Sequence, residues 1–356
     1  MQSLRNIYTQ WWPPSPTFTE TEVPSQVGRV FMVTGSDSGI GFELCKMLHT
    51  TGATVYMASL SRNLAEKAID RITSAVPSPA NPATLKPLEL NLADFESVKA
   101  AVAAFSSQES HLDVLWNNAG VGSGVLPESY RTAQGLNGII GINAVGPLLL
   151  TTLLLPKLQE AASRSASESN DYASGIQENA RRNPGRVRVV WTSSNLVDLS
   201  APEGGIDMEA IRNGGSESPN INYAMSKCAN WALTAEMARR YSHGTEGIVA
   251  VAQNPGNLNT GAFKGTPAFY MTVLNALKIL SGPKSGAYTE LFAGLAPVVA
   301  EAGSGAYVIP WGRIMPEESM TRQDIVKAFK PVDEGGGGLS QEFWQWCESQ
   351  WKGSMA

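Results

Sequence analysis

The chain is expected to form one doubly wound α/β domain: a parallel sheet of about seven strands with helices on both faces. Short β-branched runs alternate with longer helical stretches from about Gly28 to beyond residue 300. The first such run opens directly into a glycine-rich turn and then a helix. With 356 residues, 43% of them hydrophobic, the chain is long enough to bury one large core.

Taken in order, the strands are expected at 30–33, 54–58, 84–90, 112–116, 187–192, 248–253 and 306–309. Helical stretches fall between them near 39–51, 62–75, 94–107, 129–159 and 223–242. Three segments break the rhythm. Residues 161–185, rich in Ser, Ala, Asn and charge, read as a long surface loop. Residues 195–222 carry Pro, Gly and acids between a strand and a helix, and 332–339 (VDEGGGGL) reads as a flexible spacer before an amphipathic tail at 341–351. The expected organisation is an N-terminal extension (1–27), a catalytic domain (28–315) and a C-terminal extension (316–356).

Composition excludes several classes of function. The net charge is −5 with no Lys/Arg-rich run, which disfavours nucleic acid and anionic membranes as partners. Cys45, Cys228 and Cys347 cannot build a disulfide framework, and His49, His111 and His243 match no metal-ligand spacing, so no metal is expected. The N-terminus lacks the apolar core of a signal peptide. The most apolar window, 145–158, is too short to span a bilayer and contains Pro147 and Pro156. A reduced, soluble, cytoplasmic protein is the expectation.

The turn after the first strand reads Thr34-Gly35-Ser36-Asp37-Ser38-Gly39-Ile40-Gly41. Glycines suit a strand that must turn sharply and let its backbone approach a pyrophosphate, which the following helix N-terminus would hold with free N–H groups. Tyr223 and Lys227 stand four residues apart on an expected helix, so both side chains project into one site. A neighbouring cation favours the phenolate of a tyrosine, which could then exchange a proton with a carbonyl oxygen.

The Gly-x-x-x-Gly-x-Gly spacing behind Thr34 resembles the TGxxxGIG loop of the short-chain dehydrogenase/reductase family. Four further segments match that family in order: Asn117-Asn118-Ala119-Gly120, Asn143 within INAVG, Ser193-Ser194 at a strand end, and Tyr223-x-x-x-Lys227. Pro255-Gly256-Asn257-Leu258-Asn259-Thr260 matches its PGxxxT. The resemblance covers roughly residues 28–313 and implies a Rossmann-type domain. It is closest to retinol-dehydrogenase-like fungal oxidoreductases of secondary metabolism.

The resemblance implies a catalytic set of Asn143, Ser194, Tyr223 and Lys227. Ser194 would polarise the reacting oxygen, Lys227 would reach the nicotinamide ribose, and Asn143 would hold a water in a proton relay. Gly35, Ser36, Ser38, Gly39, Ile40, Gly41, Asn118, Ala119 and Gly120 would contact the dinucleotide, with Tyr223 and Lys227. Pro255, Gly256, Leu258 and Thr260 would meet the nicotinamide, and Asn91 and Leu92 the adenine, Asn91 standing where the family often carries Asp. Ser59 ends the second strand where an NAD enzyme usually has an acid, and Arg62 is the nearest cation for a 2′-phosphate, which points to NADP(H).

The functional expectation is an NADP(H)-dependent carbonyl reductase or alcohol dehydrogenase. The same fold and cofactor would also serve imine reduction, epimerisation or dehydration. A non-catalytic dinucleotide-binding scaffold is disfavoured by the intact catalytic set. Segment 261–282 is rich in apolar side chains, Phe269 and Tyr270 among them, and reads either as a helix packed on the sheet edge or as a lid over a bulky lipophilic substrate. Relatives often dimerise through helices equivalent to 143–159 and 223–242, so a homodimer is expected.

Overall fold

The structure, a computed structural model, describes residues 2–170, 186–242, 247–259 and 279–352. Its sheet contains β1 (Val30–Thr34), β2 (Thr54–Ser59), β3 (Thr84–Glu89), β4 (Val114–Asn117), β5 (Arg188–Thr192), β6 (Val249–Gln253), β7 (Ala306–Ile309) and β8 (Arg313–Met315). The spatial order is β3-β2-β1-β4-β5-β6-β7-β8. Neighbours from β3 to β7 are parallel, and β8 runs antiparallel to β7. The order reverses between β1 and β4, the crevice where ligands bind in such sheets. The eighth strand is an addition to the expectation: it has three residues and no room for a hydrophobic period of its own.

Strands β1, β4, β5 and β6 are buried along their whole length, as parallel strands covered on both faces must be. Side chains alternate between the two cores. Val189 and Trp191 enter one, Val190 the other. The first core is covered by α4 (Phe95–Ser106), α6 (Gly146–Asn170) and α9 (Pro219–Tyr241). The second is covered by α2 (Gly39–Leu48), α3 (Arg62–Ala75) and α10 (Pro283–Leu295). Pro87 sits in β3, the edge strand, where a missing N–H is tolerated.

Helix α6 departs from expectation twice. It follows α5 (Gly138–Ile140) and a π-helical turn, Gly141–Val145, so that Gly138–Ser165 is one run of 28 residues. That run is long and apolar enough to cross a membrane by length and composition, but most of it is buried inside the fold. Leu148, Leu149, Leu150, Leu154 and Leu158 are wholly buried, which makes it a core helix. Pro156 lies inside the helix, where its missing N–H removes one intrahelical bond. The helix also continues to Asn170, so residues 161–170 are not the loop expected there; 171–185 lie outside the described residues.

The 195–222 segment is a packed structure. It forms α7 (Leu196–Ser200) and α8 (Met208–Arg212), and inserts Val197, Ile206, Met208 and Ile211 into the first core. The Arg322 guanidinium stitches it down, donating to the carbonyls of Val197, Ala201 and Pro202 while paired with Asp324. The expected flexible spacer is also a built turn. The N–H groups of Gly335, Gly336, Gly337 and Gly338 bond the carbonyls of Val332, Pro331, Lys327 and Lys330.

That turn delivers α13 (Leu339–Lys352), which buries Phe343, Trp344, Cys347 and Trp351. Trp344 packs by Tyr241 and under Arg240 at the end of α9, and Trp351 meets Phe95 of α4 edge-on. Helix α9, expected as a contact between subunits, therefore carries a helix of its own chain. At the other terminus α1 (Gln2–Trp11) docks beside the sheet, with Gln10 buried and accepting from Asn254 Nδ2 at 2.9 Å.

Candidate active site

The glycine loop is shaped by what stands against it. Gly35 and Gly39 have φ of 66° and 57°, which disfavour any side chain. A Cβ on Gly41 would lie 2.4 Å from Gly35 O and 2.6 Å from Asn118 Nδ2. Asn118 Nδ2 donates to Thr34 O at 2.8 Å, and Ala119 N donates to Thr34 Oγ1 at 3.0 Å, so the Asn-Asn-Ala-Gly turn braces the loop from below. Ser38 is the N-cap of α2 but makes no side-chain cap. The N–H groups of the first turn are thus left without a side-chain acceptor, and a Cβ on Gly39 would meet nothing within 4 Å. Both suit a pyrophosphate.

The adenosine end is more mixed. Ser36 and Ser59 are both buried, with their hydroxyls 3.2 Å apart, so each is engaged by the other. Arg62 does not face the loop: its guanidinium pairs with Glu66 at 2.8 Å on the exposed side of α3. Arg71 reaches the loop instead, donating to Asp37 O at 3.4 Å and stacking over Phe42. Glu89 lies opposite Ser59 in the sheet, and its Oε2 accepts from Arg62 N at 3.4 Å. The Asn91 side-chain Oδ1 is used locally, accepting from Ala93 N, and Leu92 is buried with its carbonyl close against Gly146.

The catalytic set gathers at the carboxyl end of β5. Ser218 caps α9 and Pro219 opens it, which places Tyr223 and Lys227 one turn apart. The Lys227 ammonium stands 5.7 Å from the Tyr223 ring centre and donates to Thr192 O at 3.0 Å. The Ser194 hydroxyl donates to Asn195 Oδ1 at 3.3 Å and accepts from Leu196 N at 3.2 Å, and it lies close enough to Tyr223 to lower the phenol's pKa. Asn143 lies on the π-helical turn, where its amide accepts from Val121 N and donates to Val121 O and Ser226 Oγ. Gly120 separates the last two groups: a Cβ there would be 3.1 Å from Lys227 Nζ and 3.2 Å from Asn143 Oδ1. All four expected catalytic side chains are therefore neighbours.

One electrostatic expectation is corrected. Burial raises the Tyr223 phenol above its ordinary value and the Ser194 contact lowers it in part. Burial therefore outweighs the pull toward phenolate expected from the cation, and the Lys227 ammonium itself donates to Thr192 O. Burial also brings Lys227 down to about 8, against an opposing pull from Glu290.

The loop after β6 completes the site. Gly256 has φ of 91°, and Asn254 Oδ1 accepts from Gly256 N, so Gln10 is tied through Asn254 to this turn. Pro255 and Leu258 pack where a Cβ on Gly286 would stand, and Asn257 accepts from Asn195 Nδ2 at 2.5 Å. Thr260 and residues 261–278 of the expected lid, including Phe269 and Tyr270, lie outside the described residues. Gln10, Arg71, Asn195 and Glu290 were not marked in the sequence, since each reaches the site only through tertiary packing.

A sequence profile for short chain dehydrogenases matches residues 29–166. A short-chain dehydrogenase/reductase of Pestalotiopsis fici, iacJ, is 44% identical over 99% of both chains. The chain belongs to the short-chain dehydrogenase/reductase family. Another such protein, from Phomopsis amygdali, is 40% identical over 98% of this chain and 97% of its own. Among solved structures, an NADPH-bound carbonyl reductase from chicken fatty liver superimposes with a TM-score of 0.56 at 22% identity, covering 81% of this chain and 99% of that one. A 7α-hydroxysteroid dehydrogenase complexed with NADH gives 0.57 at 21% identity, covering 82% and 96%. These likenesses show a short-chain dehydrogenase/reductase fold.

Proposed function

We propose that this short-chain dehydrogenase/reductase is an NADP(H)-dependent carbonyl reductase or alcohol dehydrogenase that acts on a bulky lipophilic ketone or alcohol. The observation that carries the reading is Tyr223 one helical turn from a buried Lys227, whose ammonium stands 5.7 Å from the phenol ring, with Asn143 beside the same ammonium across Gly120. When bound, the nicotinamide would supply or accept the hydride. Ser194 would hydrogen-bond the substrate oxygen and hold it against the phenol. Tyr223 would donate its proton to that oxygen as the carbonyl is reduced, and take it back in the reverse direction. Its raised pKa keeps it in the acid form that reduction requires. Lys227 and Asn143 would align the ribose and return the proton.

NADP(H) is favoured because β2 ends in buried Ser59 without an acid, with the Arg71 guanidinium reaching the loop at Asp37 O. Glu89 is the opposing charge. The lipophilic substrate rests on the apolar sequence of 261–282, and a role in fungal secondary metabolism on the resemblance. Three buried free cysteines suit a reducing, cytoplasmic setting.

The test is a cofactor-consumption screen over ketones, aldehydes and alcohols, with NADPH and NADH at equal concentration and Tyr223→Phe as control. Turnover with NADPH that falls roughly 10²–10⁴-fold in Tyr223→Phe supports the reading. Preference for NADH overturns the cofactor assignment, and turnover unaffected by Tyr223→Phe overturns the role of the phenol.

A further inference from the structure

Glu290 is wholly buried on α10, on the face of the sheet opposite α9. Its Oε1 accepts from Thr192 Oγ1 and from Gln253 Nε2, both at 2.7 Å, and Gln253 Nε2 also bonds Thr192 Oγ1 at 3.0 Å. Its Oε2 has no hydrogen-bond partner among the described residues. The other side of the same residue, Thr192 O, accepts from Lys227 Nζ and from Asn230 Nδ2. A carboxylate and an ammonium thus grip one threonine from opposite faces of the sheet. Nothing in an ordinary core needs such a carboxylate, because a buried acid without a full set of partners is costly.

We propose that Glu290 is a positioning residue for catalysis: through Thr192 and Gln253 its buried carboxylate holds the ammonium of Lys227 in place and keeps it charged. This rests on the reading of Tyr223 and Lys227 given above. The groups nearest in energy are matched. Burial raises Glu290 to about 7, and Lys227 sits near about 8, where loss of its counter-charge would carry it down. Other titratable groups on the elements packed against α10 are differently placed. Glu43, Cys45 and Lys46 lie on α2, Tyr307 faces the opposite core, and α11 (Pro297–Ala302) carries Glu301. Arg188, at the far end of β5, donates to the carbonyls of Ala293 and Ala296. On α10 itself Lys284 pairs with Glu20, and Tyr288 stands beside it. None of these shares a hydrogen-bonded residue with Glu290 as Lys227 does.

The sign follows from these charges. Between pH of about 7 and about 8 wild type holds Glu290 as an anion and Lys227 as a cation; below that window Glu290 is neutral, and above it Lys227 is. Glu290→Gln keeps the shape and an acceptor but removes the charge. In reduction of benzil by NADPH, the alkaline limb of the rate profile should therefore fall by about half to one pH unit in Glu290→Gln. The two enzymes should converge below pH of about 6.5, where wild type has itself lost the charge. A purely structural role would lower the rate by the same factor at every pH.

A titration independent of turnover uses lysine labelled with ¹³C at Cε, the Lys227 signal being identified by its loss in Lys227→Arg. In wild type it should show two inflections, one from its own ammonium and one from Glu290; in Glu290→Gln the upper midpoint should drop and the lower inflection vanish. A single inflection in wild type overturns the proposal even if the variant fails to fold, as does an unmoved midpoint in a folded variant. Turnover that survives Tyr223→Phe would instead defeat the catalytic reading, and the Lys227 titration would still decide the coupling.

Discussion

Gly120→Ala is a way to displace the catalytic ammonium without touching a catalytic group. The backbone at Gly120 lies outside the positive-φ region, so alanine is conformationally allowed there. The new methyl would stand 3.1 Å from Lys227 Nζ and 3.2 Å from Asn143 Oδ1, so each must give by a few tenths of an ångström. The bond from Lys227 to Thr192 O, 3.0 Å long, has little slack, and a charge-assisted bond of this kind contributes about 1.5–3 kcal/mol. If about half of it is lost in the reacting geometry, the rate falls roughly 4–13-fold. Folding stability should hardly change, because alanine gains about 0.4–1 kcal/mol through the unfolded chain and offsets part of the clash. The assay is NADPH-dependent turnover of the best carbonyl substrate from the screen, beside thermal unfolding. A variant with an unchanged melting point and full activity would refute the claim that Gly120 is small for the sake of Lys227 and Asn143.

Gly41→Ala should be harsher, since its Cβ meets backbone at 2.4 Å; NADPH affinity measured by fluorescence quenching is expected to fall at least roughly 10-fold, with about 1–3 kcal/mol of stability lost. Trp344→Ala, which strips part of the α13 cover from α9, should cost about 3–5 kcal/mol in chemical denaturation. Asp324, held down at about 2 chiefly by its bonds with Arg322, contributes stability above its unfolded value of 3.8 that is lost as pH falls through about 2. Asp324→Asn should therefore be less stable by under ~1 kcal/mol at pH 7, given its partial exposure, and should match wild type in strong acid.

What could be read from the residues follows the range of the forces involved. Strands such as β1 and β6 are continuous buried runs, and α3 begins and ends where its periodicity does, because local pattern and tertiary burial agree. The pair Tyr223 and Lys227 was legible because four residues of helix fix their relation. Helices α7 and α8 are too short for a period to show, and their burial depends on Arg322, more than a hundred residues on. The glycine run 335–338 looked flexible because composition does not reveal that each N–H finds a carbonyl in 327–332. Glu290 gives no local signal either: within α10 it reads as one ordinary helical acid, and only strand ends from β5 and β6 make it unusual.

The cover of α9 comes from α13, more than a hundred residues along the chain from Tyr223 and Lys227. Until α13 docks, the helix that bears both residues presents Tyr241 and the apolar wall around it without Trp344 and Phe343. A chain cut near residue 338 would keep that face bare, so the helix that carries proton transfer is the one most exposed to misassociation when the tail is lost.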